Sequence, residues 1–79
     1  MILVPIKQNV TELQLHNWFV LFSYMTPVVA INRCSDIVYV TNKKYSAATT
    51  RHIKNYLKLL TYSNDYKLCD QEFLDRLID

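Results

Sequence analysis

The sequence predicts a small α+β domain, a three- or four-stranded antiparallel sheet packed by one main helix, with a shorter C-terminal helix. Three observations carry that prediction. Between residues 18 and 40 lie three short runs rich in aromatic and β-branched residues, joined by turn formers. From residue 47 to residue 60 the apolar residues recur at helical spacing instead. The 79 residues are 51% hydrophobic and 20% charged, with six Tyr, three Phe and one Trp. That is the composition of a folding chain and the length of one domain, residues 1–79. A chain this short buries only about 60–65% of its unfolded surface, so a partner interface or a homodimer would supplement its thin core.

Residues 1–6 form an apolar run interrupted by Pro5. Proline has no amide to donate, so this run reads as a short edge strand. Residues 10–16 alternate only partly and fit either a strand or a helical turn. Residues 18–24, 28–31 and 37–40 read as strands. Their connections, Met25-Thr26-Pro27 and residues 32–36, are short and hold Pro, Asn, Ser and Asp, which suits an antiparallel meander. Residues 41–45 leave the sheet, and Ser46 is the expected N-cap of a helix reaching Leu60. In that helix Ile53, Tyr56, Leu57 and Leu60 share one face, while Arg51, Lys54 and Lys58 share another. Residues 61–67 are polar and tyrosine-rich and read as a loop. Asp70 then caps a last helix in which Phe73, Leu74, Leu77 and Ile78 share a face.

Several chemistries are excluded at the outset. The chain has no glycine, where average usage of ~7% would supply roughly five or six. Phosphate loops, dinucleotide fingerprints, EF-hand loops and G-x-S-x-G elbows all require it. Asn and Asp are therefore expected wherever the backbone needs a positive φ. Two cysteines, Cys34 and Cys69, lack a C-x-x-C spacing and read as free buried thiols. His16, Cys34, His52 and Cys69 fall at intervals of 18, 18 and 17 residues. Zinc ligands come instead in close pairs, so neither a metal nor another cofactor is expected. His52 lies beside Arg51, whose charge disfavours its protonated form, and no motif places Cys34 or Asp36 next to it. The expectation is a non-enzyme. No apolar run approaches the roughly 18 residues of a membrane span, and residues 1–6 lack the basic start and cleavage site of a leader, so an intracellular protein without a membrane partner is expected.

The net charge of +2 is unevenly spread. Residues 1–32 are neutral; residues 33–58 carry six cationic side chains against Asp36; residues 59–79 carry two against five carboxylates. The basic middle predicts an anionic partner. Its densest part is Lys43-Lys44-Tyr45-Ser46 followed by Thr49, Thr50 and Arg51, with Lys54 and Lys58 one and two turns further on. In the functional reading the helix start supplies amides and hydroxyls to phosphate, the cationic side chains follow a phosphodiester backbone, and Tyr45 stacks on a base. In the bland reading the threonines cap the helix and the lysines solubilise it. Tyr39 and Tyr56 are expected in the core, and Tyr62 and Tyr66 in contact positions.

Three blocks carry a resemblance. Residues Phe22-Ser23-Tyr24-Met25-Thr26-Pro27-Val28-Val29-Ala30, then Ile37-Val38-Tyr39-Val40-Thr41-Asn42-Lys43-Lys44-Tyr45-Ser46, then Thr49-Thr50-Arg51-His52-Ile53 resemble a family of small tailed-phage proteins. That family's running pattern is S-Y-x-T-P-V, V-Y-V-T-x-K-K-Y-S and T-T-x-R-H-I, the last present here without its spacer. The resemblance covers residues 20–58 and places the tail helix outside it. It implies a phage product acting in the host bacterial cytoplasm and brings no established activity with it. Small phage proteins commonly bind: they coat nucleic acid, redirect a host enzyme or block a defence complex, as anti-CRISPR proteins do.

The leading expectation is thus a non-enzymatic phage accessory protein whose basic helix surface engages a phosphate-bearing partner, either nucleic acid or a host nucleoprotein complex. The alternative is a protein-surface inhibitor of a host defence enzyme, such as an anti-CRISPR protein, anchored through Trp18, Arg33, Tyr62 and Tyr66. A self-assembling particle component is the third class, since residues 1–6 offer a strand edge.

Overall fold

The structure is a computed structural model and describes residues 2–59 and 66–78. In chain order these residues form β1 (Ile2–Lys7), β2 (Val10–Gln14), β3 (Trp18–Ser23), β4 (Thr26–Asn32), β5 (Val38–Thr41), α1 (Ala47–Leu59), β6 (Lys67–Cys69) and α2 (Gln71–Leu77). The strands make one sheet in sequence order, antiparallel from β1 to β5 and parallel between β5 and β6. This corrects the expected three- or four-stranded antiparallel sheet: the sheet has six strands and is mixed, although the class remains α+β and both expected helices are present.

The physical reason lies in how the sheet is covered. One core cluster joins Val10, Leu21, Val29, Ile31, Val38 and Val40 to Tyr56 and Leu57 of α1. The other joins Leu13, Val20 and Ala30 to Leu74 of α2, with Trp18, Phe22 and Leu77 packed alongside. The two helices therefore lie on opposite faces of the sheet. With both faces covered, residues 18–22 of β3 and 27–31 of β4 are unbroken apolar runs that serve the two helices. In β2 the two core residues, Val10 and Leu13, serve different faces, and the period-two pattern that marks a half-buried strand is lost. In β6 only three residues pair, too few for any pattern. A parallel neighbour for β5 needs a crossover, and α1 is that crossover.

The meander of β3, β4 and β5 matches expectation, with its turns displaced. Ser23 pairs with Thr26, so the β3–β4 turn is Tyr24-Met25 and Pro27 lies within β4. The register shifts there: Leu21 pairs with Val29 and Phe22 with Pro27, which leaves Val28 as the extra residue. This bulge lets Val28 and Val29 both enter the α1-side core and tolerates a proline that cannot donate to the ladder. Positive φ occurs at Asn9 (65°) and Asp36 (58°), the residue types expected in a chain without glycine. Tyr24 (59°) departs from that expectation, since a left-handed conformation costs an ordinary L-residue about 1–2 kcal/mol.

Ser46 caps α1 as expected, its hydroxyl accepting the Thr49 amide at 3.3 Å. The predicted end of that helix, Leu60, and Tyr62 lie outside the described residues, as does most of the predicted 61–67 loop. Asp70 occupies the N-cap position of α2, but its carboxylate accepts from Asn42 Nδ2 (3.2 Å) rather than from the helix. The cysteines are free, yet Cys34 is exposed and Cys69 half-buried, which corrects the expectation of buried thiols. Tyr56 is buried; Tyr39 is only half-buried, between Trp18 (5.9 Å) and Phe73 (5.1 Å) on the α2 face. No helix of the described residues is long and apolar enough to cross a membrane.

Candidate nucleic-acid interface

A groove of about 630 Å³ runs between α1, the end of β5, the 42–45 loop and β6. Val40, Ile53, Leu57 and Leu68 supply its apolar surface, Lys43, Lys44, Lys54 and Lys58 border it, and Tyr45 and Tyr66 complete it. No carboxylate lines it among the described residues, and the ion pair among them, Arg76 with Glu72, belongs to α2. Four positive charges thus converge on one concavity. α1 itself carries no acidic side chain.

Each lysine has a definite origin. Residues Lys54 and Lys58 stand one turn apart on the solvent side of α1, whose inner side is fixed by Thr49, Tyr56 and Leu57. The loop bearing Lys43 and Lys44 is pinned at its start: the Asn42 amide donates to the Cys69 carbonyl (2.8 Å) and the Lys43 amide to Thr41 Oγ1 (3.2 Å). Lys43 Nζ lies 5.5 Å from the Tyr45 ring centroid, a cation–π distance. The Tyr45 hydroxyl donates to Gln71 Oε1 (2.9 Å), which also accepts from Thr41 Oγ1 (2.8 Å), while Gln71 Nε2 donates to the Pro27 carbonyl (2.8 Å). Gln71 of α2 therefore positions a tyrosine on the opposite side of the sheet edge from its own helix.

Of the residues expected from sequence, Lys43, Lys44, Tyr45, Thr49, Thr50, Lys54 and Lys58 all line this groove. Arg51 does not; it is exposed on α1 away from the groove. Ser46 borders a smaller cleft of about 240 Å³ with Ser23, Tyr24 and Thr26. Its hydroxyl is taken up as the helix cap, and Thr49 is buried with its hydroxyl 3.0 Å from Ser23 Oγ, so neither is presented to a ligand as freely as Thr50. Sequence reasoning missed Tyr66's neighbour Leu68 and the apolar floor altogether, because β6 was not legible.

It also missed a polar chain under the start of α1. Ser46 donates to Thr49 (3.4 Å), Thr49 meets Ser23 (3.0 Å), and Ser23 Oγ lies 2.8 Å from His52 Nδ1. Burial first, then the charges of Lys7 and Arg51, hold the His52 pKa below its ordinary value. A neutral imidazole accepting at Nδ1 from Ser23 fits both facts. The Tyr24 ring packs against it at 5.8 Å. The pairing looks like a nucleophile and base, but Ser23 is only 2% exposed and no third group orients the imidazole among the described residues. Its evident work is to fasten α1 to β3. Among the described residues no His, Cys, Asp and Glu side chains gather into a metal-binding group.

The chain belongs to a family of unknown function, DUF8033, whose profile matches residues 1–75. That match takes in β1 and enters α2, beyond the residues 20–58 that carry the phage resemblance. No curated protein and no solved structure matches it.

Proposed function

We propose that this member of the DUF8033 family is a non-enzymatic binding protein that holds the phosphodiester backbone of a nucleic acid, free or within a nucleoprotein complex. The observation that carries the reading is the convergence of Lys43, Lys44, Lys54 and Lys58 on one groove that no described carboxylate lines. Four cations gathered on one concavity attract a polyanion, and a phosphate chain supplies them with counter-charge from outside. The enclosure of Ser23 favours binding over catalysis. The setting, a phage accessory protein in the host bacterial cytoplasm, rests on the resemblance of the three sequence blocks.

Labelled DNA and RNA titrated across ~50–200 mM salt test this, since four phosphate contacts to a single strand imply a log–log slope of about −3 and a loss of about 50-fold over that range. Replacing the four lysines by glutamine should abolish the binding while leaving the fold intact. Absence of binding at the lowest salt, or a flat salt dependence, overturns the reading.

One observation favours the competing reading of a protein-surface inhibitor. Met25 is 91% exposed and stands with Tyr24 at the tip of the β3–β4 turn, an apolar protrusion of the kind that anchors interfaces. Inhibition of a host defence enzyme that survives removal of the four lysines but is lost with Met25→Ser and Tyr24→Ser would support it.

A further inference from the structure

The lysines account for affinity to any polyanion; the floor between them does not. Leu68 is 65% exposed and Tyr66 45% exposed, and both lie in the groove, next to Val40, Ile53 and Leu57. A solvated basic surface has no need of that apolar area. A duplex cannot use it either, because a duplex presents convex phosphate ridges and keeps its base faces stacked inside. An unpaired strand carries an apolar, planar base within reach of every phosphate.

We infer that the groove accepts a single strand, with one unstacked base against Tyr45 and Tyr66 over the floor of Ile53, Leu57 and Leu68, and the flanking phosphates on the lysine rim. This rests on the reading above and narrows it to single-stranded nucleic acid. Three features on the page fit that occupant. The groove volume, about 630 Å³, is that of a small-molecule site and not of a flat surface. Tyr45 is held at its hydroxyl by Gln71, so its ring is a fixed platform whose stacking costs little ordering. The cation of Lys43 already sits 5.5 Å from that ring, close enough to pair with a phosphate next to a stacked base.

The test compares four labelled probes at ~50 mM salt: an oligothymidylate, an oligouridylate, a DNA duplex of the same length, and an abasic phosphodiester strand of the same length. The inference expects the two base-bearing single strands to bind about 5- to 150-fold more tightly than the abasic strand, the range one base–aromatic stack supplies. Tyr45→Ala and Tyr66→Ala should each erase much of that advantage, whereas Tyr45→Phe, which keeps the ring and loses only the Gln71 bond, should retain it. Emission from Trp18, remote from the groove on the α2 face, checks that each variant is folded. The ratio of thymidylate to uridylate affinity tells DNA from RNA, and binding of either supports the inference. Equal affinity for the abasic strand, or preference for the duplex, with the lysine dependence intact, overturns the base-in-groove arrangement and leaves the phosphate-binding reading standing. No binding by any probe overturns both.

Discussion

Replacing Leu74 by alanine should loosen the C-terminal helix from the sheet and lower the stability of the whole domain. α2 is seven residues long, two turns, far below the ~12–15 residues at which an isolated helix begins to hold in water. Its stability must come from docking, and Leu74, 0% exposed, is its one fully buried side chain. Leu74 packs on Leu13, Val20 and Ala30, which belong to three neighbouring hydrogen-bonded strands. A sheet so paired cannot collapse into the void, so the loss should fall in the middle of the range for such truncations, about 3 kcal/mol of ~2–5. Against a total of about 4–12 kcal/mol for 79 residues this is a large fraction. It corresponds to a fall in Tm of about 12–24 °C.

The single tryptophan makes the assay direct. Trp18 meets the Phe73 ring of α2 edge-on at 6.0 Å and Tyr39 at 5.9 Å, so its emission reports whether α2 is in place. Urea unfolding followed by Trp18 emission and by far-ultraviolet circular dichroism should give coincident transitions in the parent chain, and an earlier midpoint with red-shifted native emission in Leu74→Ala. Ile78→Ala, at an exposed position just past the helix, should cost no more than about 0.5 kcal/mol. A loss below about 1 kcal/mol with unchanged Trp18 emission would refute the placement of α2 on this face. The acidic residues of α2 would then be free to lie over the basic helix, and the open groove would lose its basis as well.

Tyr56→Phe removes a hydroxyl that donates to Glu12 Oε2 at 2.5 Å and should cost about 1.5 kcal/mol, moderated because the half-buried Glu12 also accepts from Gln14; a double-mutant cycle with Glu12→Gln isolates the coupling. Burial, with the Glu12 bond and charge, pushes the Tyr56 phenol far above its usual range, so in an alkaline absorbance titration it should ionise only when the protein unfolds. His52 is held below its ordinary 6.5, so the unfolded chain takes up that proton first as pH falls: its contribution is complete above ~6.5 and is lost progressively as pH drops through the lowered native value. The urea midpoint should fall between pH ~7 and pH ~5 more steeply for the parent than for His52→Asn, which can still accept from Ser23; equal slopes would remove His52 from the account. Neutralising Lys54 should lower the salt slope of nucleic-acid binding by about 0.7, whereas Arg51→Gln should leave it unchanged; equal effects would mean that the whole helix face, not the groove, is the contact.

What could be read from the sequence was whatever depends on one segment alone. The runs around Val20, Val29 and Val38 are β-branched and aromatic and had to be strands; Ser46 before Ala47-Ala48 had to start a helix. What escaped depends on pairs of segments. β6 exists because the crossover of α1 delivers Lys67-Leu68-Cys69 to the free edge of β5, and no local property of those three residues announces it. The groove inherits the same blindness, since Leu68 and Tyr66 form one of its walls. Helical spacing grouped Arg51 with Lys54 and Lys58 correctly, but which side of that stripe borders a concavity is decided by where β6 lands. Ser23 and His52 are 29 residues apart and meet only because α1 crosses the end of β3.

The separation of charge along the chain acquires a spatial meaning from the same fold. The basic stretch ends on α1 and the acidic stretch on α2, and the sheet stands between the two helices, but the start of α2 reaches the groove: Asp70 accepts from Asn42 (3.2 Å), and Asp75 accepts from Gln71 (3.1 Å), which holds Tyr45. At ~0.1 M salt the screening length is about 10 Å, so Asp75, joined to the groove's Tyr45 by two hydrogen bonds through Gln71, acts on the groove's potential even there. Near 0.01 M the screening length grows to about 30 Å and reaches across the molecule. The acidic residues of α2 should then repel more strongly the same polyanion that the groove attracts, so the log–log salt plot should flatten at its dilute end, and neutralising Glu72 and Asp75 should straighten it while also raising affinity at ~0.1 M. A plot already straight to the lowest salt would mean that α2 and the groove do not act on a common ligand.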